Sequence, residues 1–172
     1  MFTKNYALAQ MCKMLPNQTS TGLYCMLYNG SNTTLWANTL GSTDITGSLN
    51  NPFTSGSAPN TSGVVFGDGT VAPQYTDYKL SGNIIGGIST LKNVTSTCED
   101  GKTKWVANYT ITNNNSTDIT ISEIGLIVTL GTAKSSGGAT LAERTLLDSP
   151  VTIPAGGVGQ ITYTIEYNYP TA

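Results

Sequence analysis

The chain has 172 residues, ten carboxylates against eight lysines and arginines, a net charge of −2 and no histidine. That length fits one domain, and the weak negative balance gives no electrostatic footprint for nucleic acid or an anionic membrane. The missing imidazole removes Ser-His-Asp and Cys-His catalysis, histidine metal sites and the usual general base near neutral pH.

Only 10% of the residues are charged, so Thr, Ser, Asn and Gly must solubilise the surface; low net charge also argues against disorder. No run of about 18 apolar residues exists to span a bilayer as a helix. The opening MFTKNYALAQMCKML has no continuous apolar core, which predicts no signal peptide and synthesis in a cytoplasm. Three cysteines, Cys12, Cys25 and Cys98, form an odd set without metal-like spacing. They are expected as reduced, mostly buried thiols, with one disulfide as the alternative.

Residues 3–15 carry the helix pattern. Leu8, Met11, Cys12 and Leu15 recur at i, i+3, i+4 and i+7, Thr3 can cap the start and Pro16 ends it. The segment 1–16 is therefore predicted to be a helical arm, with 17–172 a β-domain. The arm either lies on its own domain or docks on a neighbouring subunit through Phe2, Tyr6, Leu8, Met11 and Leu15. Residues 21–28 and 33–38 read as strands joined at Asn29-Gly30-Ser31, a strong hairpin signal. Residues 41–63, broken by glycines and prolines, read as a long surface loop.

Residues 64–66 are extended and enter a Gly67-Asp68-Gly69 turn. Asp68 and Asp77 are a weak calcium pair, since no carboxylate series follows at loop-binding spacing and Asp in turns bonds its own backbone. A strand over 84–97 is interrupted at Gly86-Gly87, and 104–112 alternates Trp105, Ala107, Tyr109 and Ile111 inward. The loop 113–118 is expected to fold 104–112 back on 119–130 as a hairpin. Apolar parity changes between Ile121 and Ile124, which predicts a β-bulge at Ser122-Glu123. The chain closes with a short strand at 149–153, a turn at Pro154-Ala155-Gly156-Gly157, and a long strand alternating Ile161, Tyr163, Ile165, Tyr167 and Tyr169. The sum is an all-β, antiparallel β-sandwich, of jelly-roll or immunoglobulin-like type, with one short N-terminal helix.

A search for chemistry is mostly negative. Glu99-Asp100 before Gly101 reads as a solvated turn, and nothing brings two carboxylates to glycosidase spacing. Glu143-Arg144 is expected as a cross-strand or surface ion pair. Gly67-Asp68-Gly69 lacks the Lys-Ser/Thr and helix of a phosphate loop. Sequons such as that at Asn115 carry little weight in a chain so rich in Asn and Thr. No catalytic residue, cofactor or metal is assigned.

Three segments carry a resemblance: FGDGTVAPQYTDYKL (66–80), NYTITNNNSTDITISEIGLIV (108–128) and LAERTLLDSPVTIPAGGVGQITYTIEYN (141–168). They resemble the patterns FGxGTxxPxxxDYxL, ITISEIGL and LxRTxLDxPVTIPAGxxxxxTYTI of a group of tailed-bacteriophage virion structural proteins; the opening MFTKNY is similar to theirs too. The resemblance implies a small β-rich particle protein without catalytic residues, assembled in the host cytoplasm and carried in the virion. The resemblance covers capsid surface, head fibre, neck and tail alike; the role expected first is capsid decoration or head fibre, with other capsid or tail subunits and copies of itself as partners. The alternative is a tail, neck or fibre-tip module binding a host surface glycan, with Tyr24, Tyr28, Trp36 and Tyr75 as stacking candidates.

Overall fold

The computed structural model describes residues 1–4, 24–26, 28–34, 63–99, 101–132 and 135–168. Eight strands occur among them: β1 (Tyr24–Met26), β2 (Asn32–Thr34), β3 (Gly63–Gly67), β4 (Ile88–Glu99), β5 (Lys102–Asn113), β6 (Ile119–Thr132), β7 (Ser135–Ile153) and β8 (Val158–Asn168). They form the hairpin β1-β2 and two antiparallel sheets, ordered β3-β6-β7 and β4-β5-β8. The chain divides into two compact units, Met1–Gly86 with Ile121–Pro150, and Gly87–Thr120 with Val151–Ala172. Most of the helix expected over 3–15 and of the loop expected over 41–63 lies outside the described residues.

In the first unit the hairpin at Asn29-Gly30 is present, with Met26 opposite Asn32, so five residues connect the strands. Gly30 takes a φ of +85°, where a side chain is disfavoured, and Asn29 Oδ1 accepts from the Ser31 amide at 3.0 Å. β6 is the central strand of its sheet, and residues 121–127 are buried without interruption. Both faces are therefore covered, and the change of apolar parity needs no bulge. On the β3 side the ladder runs regularly from Glu123 opposite Gly67 to Ile127 opposite Gly63, beginning after Ser122. Val65, Leu80, Ile127, Ala139 and Leu141 form one apolar cluster, with Tyr28 and Ile84 packed on it.

The edges of this sheet are met by the chain itself. Phe2 bridges Glu143 on β7; the Thr3 amide donates to Ala142 O at 3.0 Å and the Arg144 amide to Met1 O at 3.1 Å. Thr3, expected as a helix cap, is buried with its hydroxyl donating to Leu141 O at 2.6 Å. At the other edge Ile84 bridges Gly67, and the Ile85 amide donates to Phe66 O at 2.9 Å.

The second unit corrects one pairing. The strand 104–112 does not fold back on 119–130: β5 has β4 on one side through twelve residue pairs and β8 on the other through eleven, leaving no edge for β6. The turn that sets this register lies between Glu99 and Lys102, paired across a two-residue connection in which Gly101 has φ +74°. Alternation holds on β5 from Ala107 onward and on β8, where Ala107, Tyr109, Ile111, Ile161, Tyr163 and Ile165 are buried, whereas residues 102–106, with Trp105 expected inward, are all half-buried. The short strand expected at 149–153 is the end of a longer one, because β7 runs from Ser135 through Pro150 to Ile153 before the turn to β8. Pro150 is tolerated there because residues 148–150 are exposed, at the point where the chain leaves the first unit. Cys98, expected to be buried, is an exposed free thiol, since β4 is exposed from residue 91 to 99.

Candidate functional site

The three segments that carry the resemblance meet in the first unit around one guanidinium. Arg144, on β7, is 2% exposed, and Glu123, on β6, is fully buried. Arg144 Nε donates to Glu123 Oε2 at 2.9 Å, Nη1 donates to Asp77 Oδ2 at 2.5 Å, and Nη2 donates to the Val71 carbonyl. Glu123 is satisfied further by the loop that carries Asp77. Its Oε1 accepts from the Gly82 amide at 2.8 Å, and Oε2 from the Ser81 amide and hydroxyl at 3.2 and 3.1 Å. Asp77 Oδ2 also accepts from the Gln74 amide at 2.7 Å. One cation and two carboxylates thus order residues 71–82 over the sheet. Charge-assisted bonds of this kind offset the cost of burying their charges only when every partner is in place.

The glycines of the first segment make room for this closure. A Cβ on Gly69 would overlap Ser81 Oγ, Glu123 Oε1 and the Gly82 amide nitrogen, so the absence of a side chain there lets the loop backbone approach the buried carboxylate. Asp68 closes the other end: its Oδ1 accepts from the Asn83 amide at 2.6 Å. Tyr28 reaches the same loop, with its hydroxyl accepting from the Leu80 amide at 3.2 Å. Burial raises the pKa of that hydroxyl, and the bond from Leu80 lowers it in part.

Asp68 and Asp77 are thus each engaged by their own loop, and among the described residues no group of three His, Cys, Asp or Glu could hold a metal ion. Glu143 and Arg144 do not pair with each other. Glu143 accepts from the terminal ammonium of Met1 and from the Thr145 hydroxyl, at 2.6 Å for the latter. Consecutive strand residues point to opposite faces, a rule that already denied the pairing. The signal for the true partner was Glu123 itself, a carboxylate inside the apolar run ITISEIGLIV that burial obliges to find a cation.

The second unit has an uncharged counterpart. Asn113, fully buried, donates through Nδ2 to Thr117 O, Ile153 O and Pro154 O at 2.9 to 3.0 Å. Its Oδ1 accepts from the amide and side chain of Asn115, both at 3.0 Å. The Asn115 side chain of the sequon is thereby committed within the loop. Asp118 Oδ1 accepts from the Ala155 amide at 3.0 Å, joining that loop to the turn before β8.

The open face of this sheet is polar. Thr95, Thr97, Glu99, Lys102, Lys104 and Val106 line a shallow hollow of about 310 Å³. Lys102 pairs with Glu166 at 2.9 Å, which lowers the carboxyl pKa of Glu166, first through this hydrogen bond. Of the aromatic residues considered for sugar stacking, Tyr75 is exposed at 49% while Tyr28 is turned into the first unit's core. The side chain of Tyr24 and the whole of Trp36 lie outside the described residues, as do Tyr6, Leu8, Met11 and Leu15. Phe2 lies along β7 of its own chain. The chain matches no protein-family model, no curated protein and no solved structure.

Proposed function

We propose that this chain is a structural protein of a tailed-bacteriophage virion, sitting on the particle exterior as a capsid decoration or head-fibre component and acting by docking and self-assembly. One observation carries the reading. The segments that resemble such proteins converge on Arg144, Glu123 and Asp77, and those groups are spent on holding a loop against a sheet. A motif used this way selects for a shape rather than a reaction. The two antiparallel sheets are read as layers of a β-sandwich, jelly-roll or immunoglobulin-like, a reading supported by the alternation of buried and exposed residues along β8. Mass spectrometry of purified particles tests the proposal. We expect the chain at a fixed stoichiometry, hundreds of copies indicating the shell and a dozen or fewer the neck or tail; its absence from particles overturns the reading.

A second reading, a tail or fibre-tip module binding a host glycan, has Tyr75 in its favour, an exposed ring on the loop ordered by Arg144. A glycan array on which wild type and Tyr75→Ala give the same empty result would remove it.

A further inference from the structure

The two sheets treat their edges differently. Both outer edges of β3-β6-β7 are met by short segments of the same chain, at Phe2 and at Ile84. In β4-β5-β8 the edge strand β4 is twelve residues long, and residues 91–99 are exposed whichever way their side chains point. Among the described residues, backbone bonds to β4 come from β5 alone. Proteins guard such edges with proline, bulges or charges. Here the ladder to β5 runs through twelve successive pairs without a bulge, and residues 93–98, NVTSTC, hold no charge, proline or glycine. That composition favours strand addition.

We propose that β4 is the seam along which two copies of this chain join, antiparallel about a two-fold axis at Thr95, making one continuous sheet of both copies. The proposal deepens the assembling role given above by naming its partner and surface. An open ladder edge offers alternating N–H and C=O groups and so takes an extended backbone. Charge selects a second copy in this orientation. Lys92 and Glu99 flank the neutral stretch at opposite ends. Antiparallel pairing about Thr95 sets Lys92 opposite Cys98, beside the other copy's Glu99, whereas parallel in-register pairing would stack Lys92 on Lys92 and Glu99 on Glu99. Asn93 then meets Thr97, Val94 meets Ser96, and Leu91, exposed at 77%, lies across from the aliphatic stem of Glu99. A two-fold axis normal to the sheet pairs residues of equal parity, so the Thr- and Asn-rich face of one copy continues into the other.

Sedimentation equilibrium of the purified full chain tests the seam. We expect a reversible monomer–dimer equilibrium, weakened about tenfold or more by Thr95→Lys, which sets like charges opposite each other on the axis, with an unchanged far-UV spectrum. In a Cys98→Ser background, Thr95→Cys should form a disulfide-linked dimer on mild oxidation, because directly opposed strand residues lie within disulfide reach; Thr110→Cys on the central strand should not. A wild type that is monomeric from micromolar to submillimolar concentration, or a dimer indifferent to Thr95→Lys, overturns the seam. A dimer broken by Thr95→Lys in a protein absent from particles supports the seam and removes the virion reading. Monomers that still enter particles overturn the seam alone.

Discussion

The first unit is held by charge and the second by neutral amides, and the difference shows what each loop demands. Of residues 71–82 only Leu80 is buried in the apolar cluster, and the rest of the loop is tied down by a buried Arg144 shared between Glu123 and Asp77. The 113–118 loop is shorter and lies against a turn, so one buried Asn113, bonded to three carbonyls, suffices. A buried ion network is an all-or-nothing device: it contributes order only while complete. An amide hub loses less when one partner goes.

The largest expected effect comes from breaking the charged hub. Arg144→Met strands Glu123 without its cation and should cost about 3–5 kcal/mol of unfolding free energy, read by urea denaturation. The double variant Arg144→Met with Glu123→Leu should recover much of that loss, since no uncompensated charge stays buried. Equal losses in the single and double variants would contradict the pairing. Gly69→Ala should cost about 3 kcal/mol in the same assay, because the new methyl meets the backbone of Gly82 and cannot be accommodated by a rotamer change. In the second unit Asn113→Ala should cost about 2 kcal/mol by removing the donor from the buried Ile153 carbonyl and from two half-buried ones, so it should fall below Arg144→Met.

The pH dependence sharpens the comparison at its alkaline end. Burial raises the hydroxyl pKa of Tyr28 in the first unit and, much further, of Tyr109 in the second. A raised folded value means the stabilisation is complete below the ordinary tyrosine pKa, about 10, and is lost as pH rises from there through the folded value. Stability should therefore fall above about pH 10, and Tyr109→Phe should flatten that fall more than Tyr28→Phe. The smallest effect belongs to the surface pair. The carboxyl of Glu166 is lowered by Lys102, so its contribution is present above the unfolded carboxylate pKa and lost as pH falls through the folded one. Lys102→Met should move the Glu166 titration in side-chain NMR back up toward the ordinary range while leaving the denaturation midpoint nearly unchanged.

Much of the local structure was legible from period and turn chemistry. The inward set on β5, the alternation from Ile161 and the glycine turn before β8 follow from side chains that alternate across a pleat and residues that tolerate positive φ. Pairing was less legible. Residues 104–112 and 119–130 are neighbours in sequence and both apolar, yet Asp100-Gly101 was the stronger hairpin signal and gave β5 its first partner. The charged hub was least legible, because Asp77 and Arg144 stand 67 residues apart and no spacing rule links a loop carboxylate to a strand guanidinium. Parity along 121–127 was also a poor guide to local geometry, since a strand covered on both faces has no single apolar parity.

Hydrogen exchange along the two kinds of sheet edge, followed from low to high protein concentration, tests the contrast most directly. The amides of Thr3 and Arg144, bonded within one chain, should be protected equally at every concentration. The amides of residues 93–98 that point away from β5 should be unprotected when dilute and gain protection as copies pair. Protection in 93–98 that does not change with concentration would contradict the claim that the second sheet is left open for another copy.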